Sequence, residues 1–382
     1  MPEPPEIWPQ GTSMERISPS SNVVLFTPGP VRIPPLVEEY LGHPPCNYHR
    51  QEGFRSMFAQ TEASLKHLIG LRNPDAYFAT IMTSTGTGGN EACLLALEGL
   101  GKGLILHNGF FAARAVDQAV QNGIAHTVLE TAHDRSIDPE AVDAALSADP
   151  SIKWVFFVSH ETRMGLKNPL EELGKVCKAR EVFVAADIIS SAWAYPLDLE
   201  MAGLDIAVAS SAKAIMAAPG LAILFVRRAA VPTLARVGKP RGYYLDVVAE
   251  YEKQQAEMQT RFAQPVALHA GLHAACLHME QVGVNHNMKR IRRQMEELAA
   301  HLASLGVHPL LDEPFRSWIA VNFRLPEGMP YREFALRMES EGYYLLYGIP
   351  GDDTHFQLST IGDLSDEHVR GIEQAFTRVL TR

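Results

Sequence analysis

Short runs of apolar residues alternate along the chain with longer stretches in which apolar residues recur every three or four positions. The first pattern predicts buried strands, and the second predicts helices that pack one face against a sheet. Strands are expected at 76–82, 104–107, 154–158, 182–187, 206–210 and 221–226, and helices at 89–100, 112–122 and 170–179. This alternation predicts an α/β fold in which helices cover both faces of a mostly parallel sheet.

The predicted elements divide the chain into three parts. Residues 1–22 are rich in proline and serine and show no apolar period, which indicates a flexible N-terminal arm. Residues 23–265 hold the alternating strands and helices and are interpreted as a large domain. Residues 266–382 are interpreted as a connecting helix followed by a small C-terminal α+β domain. Within this last part the long helical pattern is interrupted at Gly283.

An aspartate and a lysine follow two successive predicted strands. Asp187 ends the apolar run 182–187, and Lys213 comes three residues after the run 206–210. In a parallel sheet both positions lie near the carboxyl edge. Taken singly, such an aspartate is typical of a helix cap and such a lysine of a solvated surface. Small residues on both sides of Lys213 leave room for a flat ring, and the combination therefore favours a cofactor site.

This pair of side chains suits the chemistry of pyridoxal 5′-phosphate (PLP). The cofactor is an electron sink while its pyridine nitrogen stays protonated, which a buried carboxylate ensures, and a lysine holds it as a Schiff base. We therefore expect Lys213 and Asp187 to be catalytic. A cofactor-free binding protein that keeps the same fold is the alternative from another functional class.

A loop rich in glycine and threonine precedes the helix expected at 89–100. Its Thr85, Gly86 and Thr87 can offer backbone N–H groups and hydroxyls to a phosphate at a helix N-terminus. The loop lacks the lysine of a P-loop, and by itself such a turn is more often structural. The order of phosphate loop, carboxylate and lysine along the chain strengthens the interpretation.

Composition excludes several other classes of function. The chain has 382 residues, 46% of them hydrophobic, and a formal net charge of -10 without any basic run, which argues against a nucleic-acid partner. Its 4 cysteines are scattered without ligand spacing, so neither a metal site nor a disulfide framework is expected. No apolar run has spanning length and no signal peptide is recognised, so we expect a cytoplasmic protein without a membrane partner.

These motifs, in this order, resemble those of the class V aminotransferase family of fold-type I PLP enzymes. Within it, the alanine–glyoxylate (serine–pyruvate) and 2-aminoethylphosphonate–pyruvate aminotransferases have the most similar patterns. The resemblance extends over nearly the whole chain after the arm. It rests on the segments 26–30, 48–50, 85–87, 108–114, 160–162 and 210–213, on Asp187, and on Ile361-Gly362. It implies a seven-stranded type of sheet, PLP as cofactor, and a homodimer with the active site at the subunit interface.

The resemblance also assigns roles to single residues. Phe111 falls where an aromatic ring stacks on the cofactor, although a core phenylalanine is an equal alternative. Thr162 falls where a hydroxyl approaches the ring oxygen, and Ser210 where a hydroxyl contacts the phosphate. Gly29 falls near the substrate entrance, or else forms a rigid turn. Arg261 could reach the phosphate of the partner subunit, but Ala263 occupies a position where threonine is usual, so one interface hydrogen bond is in doubt.

One position departs from the family pattern. Gln357 stands where the resemblance implies an arginine that grips the substrate carboxylate in a two-pronged salt bridge, which glutamine cannot reproduce. One interpretation is that Arg163 supplies the charge from another wall, and its alternative is an ordinary solvated arginine. Alternatively, Gln357 binds a neutral group of a substrate without an ordinary α-carboxylate. A third possibility is different PLP chemistry, namely elimination, epimerisation or decarboxylation.

The interpretation that follows is a PLP-dependent aminotransferase. We expect it to move an amino group from an amine or amino acid to a small 2-oxo acid, with pyruvate or glyoxylate implied by the resemblance. Gly29, Arg163 and Gln357 are the expected substrate contacts. A PLP-dependent lyase, epimerase or decarboxylase on the same scaffold is the alternative.

Overall fold

A computed structural model describes residues 23–237 and 242–381. The predicted arm at 1–22 lies outside the described residues. The strands are β1 (Val24–Leu25), β2 (Tyr77–Thr83), β3 (Lys102–His107), β4 (His126–Glu130), β5 (Ile152–Val158), β6 (His160–Glu161), β7 (Leu166–Lys167), β8 (Phe183–Asp187), β9 (Ile206–Ser210), β10 (Leu221–Arg227), β11 (Val321–Arg324), β12 (Tyr343–Tyr344) and β13 (His355–Leu358).

Helices connect most of these strands. They are α1 (Pro35–Gly42), α2 (Glu52–Leu68), α3 (Gly86–Glu98), α4 (Phe110–Gln121), α5 (Pro139–Ala148), α6 (Leu170–Ala179), α7 (Val231–Arg236), α8 (Val247–Glu257), α9 (Val266–Val282), α10 (Val284–Ser304), α11 (Tyr331–Ser340) and α12 (Asp366–Leu380). Two short 3₁₀ helices lie at Pro74–Ala76 and Arg228–Ala230.

Seven strands form the central sheet in the order β2-β10-β9-β8-β5-β3-β4. The neighbours from β9 to β4 are parallel, and β10 is antiparallel to both β9 and β2. Because β2 and β9 run the same way on either side of β10, the sheet is mostly parallel and the α/β prediction is confirmed. Strands β8 and β9 therefore end at one edge, which is also where β2 ends.

Both faces of the sheet are buried, because side chains alternate along each strand. On β5, Val155 and Phe157 face a core shared with α1, α2, α5, α6 and α9, whereas Trp154 and Phe156 face a core shared with α3, α4, α7 and α8. The continuous apolar runs of the sequence follow directly from this double coverage.

A third core holds the C-terminal part together. Helices α10, α11 and α12 pack around the two-stranded pair β11–β13, with Phe323, Phe334 and Phe356 buried among them. Phe26 also lies in this core, and β1 pairs with β12, so the start of the described chain is attached to the C-terminal domain. Helix α9 packs on α1 and α2 in the large core. The division at residue 265 stays a prediction.

Two features are absent from residues 23–237 and 242–381. In these ranges no helix is both long and apolar enough to cross a membrane. Nor does any group of histidine, cysteine, aspartate and glutamate side chains there form a metal-binding cluster.

Candidate active site

The ends of β2, β8 and β9 surround a cavity of about 200 Å³ next to the N-terminus of α3. Nine of the residues predicted from the sequence line it, namely Gly29, Thr85, Gly86, Thr87, Phe111, Thr162, Asp187, Ser210 and Lys213. They come from loops far apart in sequence, and the sheet brings them together because its parallel strands end at a common edge.

Asp187 lies at the end of β8 with a carboxylate that is buried yet faces the cavity. Its Oδ2 accepts a hydrogen bond of 2.6 Å from Asn90 Nδ2, and its Oδ1 accepts one of 2.8 Å from the Ile189 backbone. Burial raises the pKa of this carboxyl to about 6, while these two donors and the charge of Lys213 oppose the shift. A cation placed in the cavity would stabilise the carboxylate.

Lys213 follows β9 and extends into the same cavity. Its Nζ donates a hydrogen bond of 2.8 Å to the carbonyl of Pro28. Burial lowers the pKa of its ammonium to about 8, and the attraction of Asp187 opposes this shift while Arg163 and Arg114 add to it. A neutral amine, the nucleophilic form, is therefore accessible near physiological pH.

Gly29 borders Lys213 closely enough that only glycine fits. A Cβ built at Gly29 would lie 2.5 Å from Lys213 Nζ, and the backbone φ of +131° is itself one that other residues rarely adopt. Gly29 therefore lies directly beside Lys213, whereas its predicted contact with substrate stays a prediction.

The N-terminus of α3 points its first backbone N–H groups at the cavity. Thr85 is the N-cap residue, and its side chain accepts no hydrogen bond from the first turn of the helix. The backbone N–H groups of Gly86 and Thr87 lie in that first turn and have no partner within the helix. Arg114 Nη1 donates to Thr87 Oγ1 at 3.0 Å, which places a second positive group here. Such a helix end is suited to a phosphate.

Phe111 is held in the wall of the cavity by the N-terminus of α4. The Glu161 carboxylate accepts hydrogen bonds from the backbone N–H groups of Phe111 (3.0 Å) and Ala112 (2.7 Å). Burial raises the pKa of Glu161 to about 7, although both donors oppose the shift. The guanidinium of Arg114 lies 5.1 Å from the centroid of the Phe111 ring.

Three hydroxyl and imidazole groups complete the wall. Thr162 Oγ1 lies 3.4 Å from His160 Nδ1, and Ser210 Oγ accepts a hydrogen bond of 3.4 Å from the backbone N–H of Ala212. His160 Nε2 also shares a hydrogen bond of 2.7 Å with Ser317 Oγ, which comes from the C-terminal part of the chain. Burial and the nearby Lys213 lower the pKa of His160 to about 3, so that it is neutral at physiological pH.

Three predicted residues do not line the cavity. Gln357 is buried, and its amide donates to the carbonyl of Thr162 at 2.6 Å. Arg163 lies beside the cavity at the border with the C-terminal domain, where it donates to the carbonyls of Tyr347 and Gly348. Arg261 Nε lies 4.0 Å from Glu250 Oε2, and its guanidinium carbon lies 4.8 Å from the centroid of the Phe262 ring. Their predicted contacts with substrate or cofactor stay predictions.

Four residues of the site were not singled out from the sequence, namely Asn90, Arg114, His160 and Glu161. Arg114, His160 and Glu161 lie inside motifs that carried the resemblance, so their position there was an available signal. Asn90 gave no signal, because only the packing of α3 against β9 and β10 brings its amide to Asp187.

A lysine and a buried carboxylate in one cavity at the edge of this sheet are typical of the fold-type I class of PLP enzymes. The crystal structure of an aspartate aminotransferase from Thermus thermophilus matches with a TM-score of 0.82 and 26% identity, covering 94% of this chain and 99% of that chain. An alanine–glyoxylate aminotransferase from Nostoc sp. matches with a TM-score of 0.87 and 22% identity, covering 96% and 98%. The latter supports the fold alone.

Comparison of sequences identifies the family. Residues 36–335 match the family described as Aminotransferase class-V. A 2-aminoethylphosphonate–pyruvate transaminase from Burkholderia thailandensis is 30% identical over 357 residues, covering 92% of this chain and 95% of the relative. One from Klebsiella pneumoniae is 28% identical, covering 94% and 98%. The chain belongs to the class V aminotransferase family and is an aminotransferase.

Proposed function

We propose that this aminotransferase binds PLP in the cavity beside Lys213 and transfers the amino group of a small amine to a 2-oxo acid. The single observation that supports this best is the convergence of Lys213, Asp187 and the uncapped N-terminus of α3 on one cavity. PLP supplies an aldehyde for the lysine, a ring nitrogen that needs a counter-charge, and a phosphate.

The residues present fit the cofactor at each of these three points. Asp187 offers a carboxylate whose pKa is raised by burial, and a protonated ring nitrogen beside it would stabilise its charged form. Thr85, Gly86 and Thr87, with Ser210 and Arg114, surround the helix end where a phosphate would be held. Phe111 and Thr162 line the cavity, and we propose that they contact the ring. The proposed catalytic residues are Lys213 and Asp187.

Lys213 would act twice in the reaction. As a neutral amine it would hold the cofactor covalently, and in its free form its Nζ would accept the substrate proton and return it. The carbonyl of Pro28 accepts one N–H of Lys213, so the released side chain has a fixed place within the cavity.

The substrates are proposed from the relatives. Both curated relatives are named for 2-aminoethylphosphonate and pyruvate, and a structural neighbour is named for alanine and glyoxylate. We propose a small acidic amine as donor and pyruvate or glyoxylate as acceptor. The protein is further proposed to be a homodimer in which Arg261 of one subunit approaches the cofactor phosphate of the other.

Two measurements test the proposed function. Borohydride reduction of the PLP-loaded protein should attach the cofactor to the peptide that contains Lys213, and Lys213→Ala should abolish the attachment. Stoichiometric conversion of bound PLP to pyridoxamine phosphate should occur with at least one acidic amine, and pyruvate or glyoxylate should reverse it. If a panel of amines yields no pyridoxamine form, the proposed amino transfer is wrong and the lyase, epimerase or decarboxylase alternative gains support.

A further inference from the structure

Arg163 carries a charge that the surrounding protein does not neutralise. Its guanidinium carbon lies 4.8 Å from the centroid of the Tyr347 ring and 5.4 Å from that of Phe110. Its Nη1 donates to the carbonyls of Tyr347 and Gly348, both at 3.2 Å. Within the ranges 23–237 and 242–381 no carboxylate forms an ion pair with Arg163. The edge formed by Nε and Nη2 therefore has no protein partner there.

This charge is next to the proposed reaction centre. Arg163 directly follows Thr162, which lines the cavity, and Phe110 directly precedes Phe111, which lines it from the other side. The positive charge of Arg163 is one of the causes that lower the pKa of Lys213. The half-buried Arg163 side chain thus lies close to the cavity and contacts the Tyr347–Gly348 backbone.

Gln357 cannot offer its amide donors to a substrate, because the protein already uses them. Three oxygens surround its Nε2, those of Thr162 (2.6 Å), Arg163 (3.3 Å) and the Asn322 side chain (3.1 Å). Asn322 Nδ2 donates to the Arg163 carbonyl as well, at 2.7 Å. Since an amide nitrogen has only two N–H groups, none is left over. Gln357 and Asn322 instead fix the backbone that carries Arg163.

We propose that Arg163 binds the acidic group of the amine substrate and so selects small amines that carry an oxyanion, either a carboxylate or a phosphonate. This inference rests on the proposed function. An arginine edge with two parallel N–H groups matches such an oxyanion. Contacts with the Tyr347 and Phe110 rings, together with the two hydrogen bonds from Nη1 to backbone carbonyls, hold the guanidinium in place.

The first test measures anion binding without catalysis. Ethylphosphonate and propanoate lack an amine, so their affinities for the PLP-loaded protein report the anion site alone, and propanamide serves as the neutral probe. In titration calorimetry we expect Arg163→Gln to raise the Kd of the preferred anion at least roughly tenfold, because a charge-assisted hydrogen-bonded pair is lost. Arg163→Lys, which keeps charge but not the fork, should recover only part of the affinity. Whichever anion binds more tightly to the wild type identifies the acidic group of the preferred amine substrate.

Arg180→Gln is the matched control. Arg180 is exposed, is paired with Asp143, and precedes the start of β8, so it lies at the sheet edge opposite Asp187. Its substitution should leave anion binding unchanged. Equal affinities in wild type and Arg163→Gln would overturn the proposal, and so would a wild type that binds neither anion.

The second test uses substrates and separates this inference from the proposed function. For 2-aminoethylphosphonate or β-alanine, Arg163→Gln should raise KM at least roughly tenfold and change kcat less, whereas KM for propylamine should stay within about twofold. Equal rises for charged and neutral amines would contradict a role in anion recognition. Anion binding that depends on Arg163 in a protein that transfers no amino group would count against the proposed function and not against the anion site.

Discussion

At the scale of single residues, burial works against both charges of the central pair. It raises the pKa of Asp187 to about 6 and lowers that of Lys213 to about 8, so each group is shifted toward its neutral form. A positively charged ring nitrogen beside Asp187 would reverse the first shift, and covalent attachment of the cofactor would remove the second charge. Both changes would offset the cost of burying these two charges, which supports the proposed cofactor site.

Asp187→Asn tests the first half of this argument. Asparagine keeps an oxygen that accepts the Ile189 N–H but has no negative charge. A carboxylate raises the pKa of an adjacent cation by roughly 1–3 units, so its removal lowers that pKa by the same amount. We expect the conversion of bound PLP to pyridoxamine phosphate to slow roughly 10- to 1000-fold at pH 8, followed by stopped-flow absorbance. Asp138→Asn, at the exposed N-cap of α5, should have the wild-type rate. An unchanged rate in Asp187→Asn would remove its assigned role.

Gln357→Leu tests whether Gln357 supports the backbone near Arg163. The substitution removes the buried donors to the carbonyls of Thr162 and Arg163, which costs about 2 kcal/mol of unfolding free energy. Urea unfolding of the apoprotein measures this loss. Gln60→Leu, on the exposed face of α2, should change the stability by less than about 0.5 kcal/mol. Equal stabilities of the two variants would show that the amide of Gln357 contributes little.

At the scale of elements, the N-terminus of α4 depends on a carboxylate with a shifted pKa. Burial raises the pKa of Glu161 from 4.5 to about 7, so between these values the folded protein binds more protons than the unfolded chain. The contribution of Glu161 to stability is therefore complete below pH 4.5 and is lost as the pH rises through 7. The loss is about 3 kcal/mol.

This linkage predicts a pH-dependent effect of Glu161→Gln. From pH 5 to 8 the wild type should lose up to about 3 kcal/mol of unfolding free energy relative to the variant, because glutamine does not titrate. Urea unfolding of the apoprotein at several pH values measures the difference. Glu140→Gln, in the exposed first turn of α5, should show no such trend. A difference between wild type and Glu161→Gln that stays constant with pH would contradict the buried ionisation.

How far the elements could be predicted depended on their burial. Helix α6 matches the predicted range, and β9 does too, because their apolar patterns are uninterrupted. Strand β4 was missed, since it lies at the sheet edge, is only partly buried and includes His126 and Glu130. In the C-terminal part, strand β11 begins only at Val321, although the apolar residues start at Trp318. Apolar residues there serve the contact between domains rather than a strand.

The same reasoning explains what could be predicted of the site. Asp187 and Lys213 were predictable because the end of a strand fixes their place at the sheet edge. The hydrogen bond of Asn90 to Asp187 and those of Gln357 to the Thr162–Arg163 segment were not, since they join residues 97 and 195 positions apart through packing of separate elements. Side-chain partners over such separations leave no local pattern in a single sequence.

At the scale of the whole molecule, an exposed aromatic cluster adjoins the proposed active site. Tyr243 is 78% exposed, and Tyr244 stacks on Phe262 at 5.3 Å while its hydroxyl donates to the carbonyl of Thr83 at the end of β2. The guanidinium of Arg261 lies over both Tyr243 and Phe262. Clustered exposed aromatic and arginine side chains are typical of protein interfaces, and this one supports the proposed homodimer.

Tyr243→Glu tests whether this cluster forms the dimer contact. Glutamate removes the exposed aromatic ring and would pair with Arg261 within the same subunit, so we expect the variant to sediment as a monomer at concentrations where the wild type is a dimer. PLP should dissociate faster from the variant on dialysis, because Arg261 would no longer reach the phosphate of the other subunit. Leu336→Glu, at an exposed position on α11 of the C-terminal domain, should stay dimeric and retain the cofactor. A dimeric Tyr243→Glu with normal PLP retention would place the subunit contact on another surface.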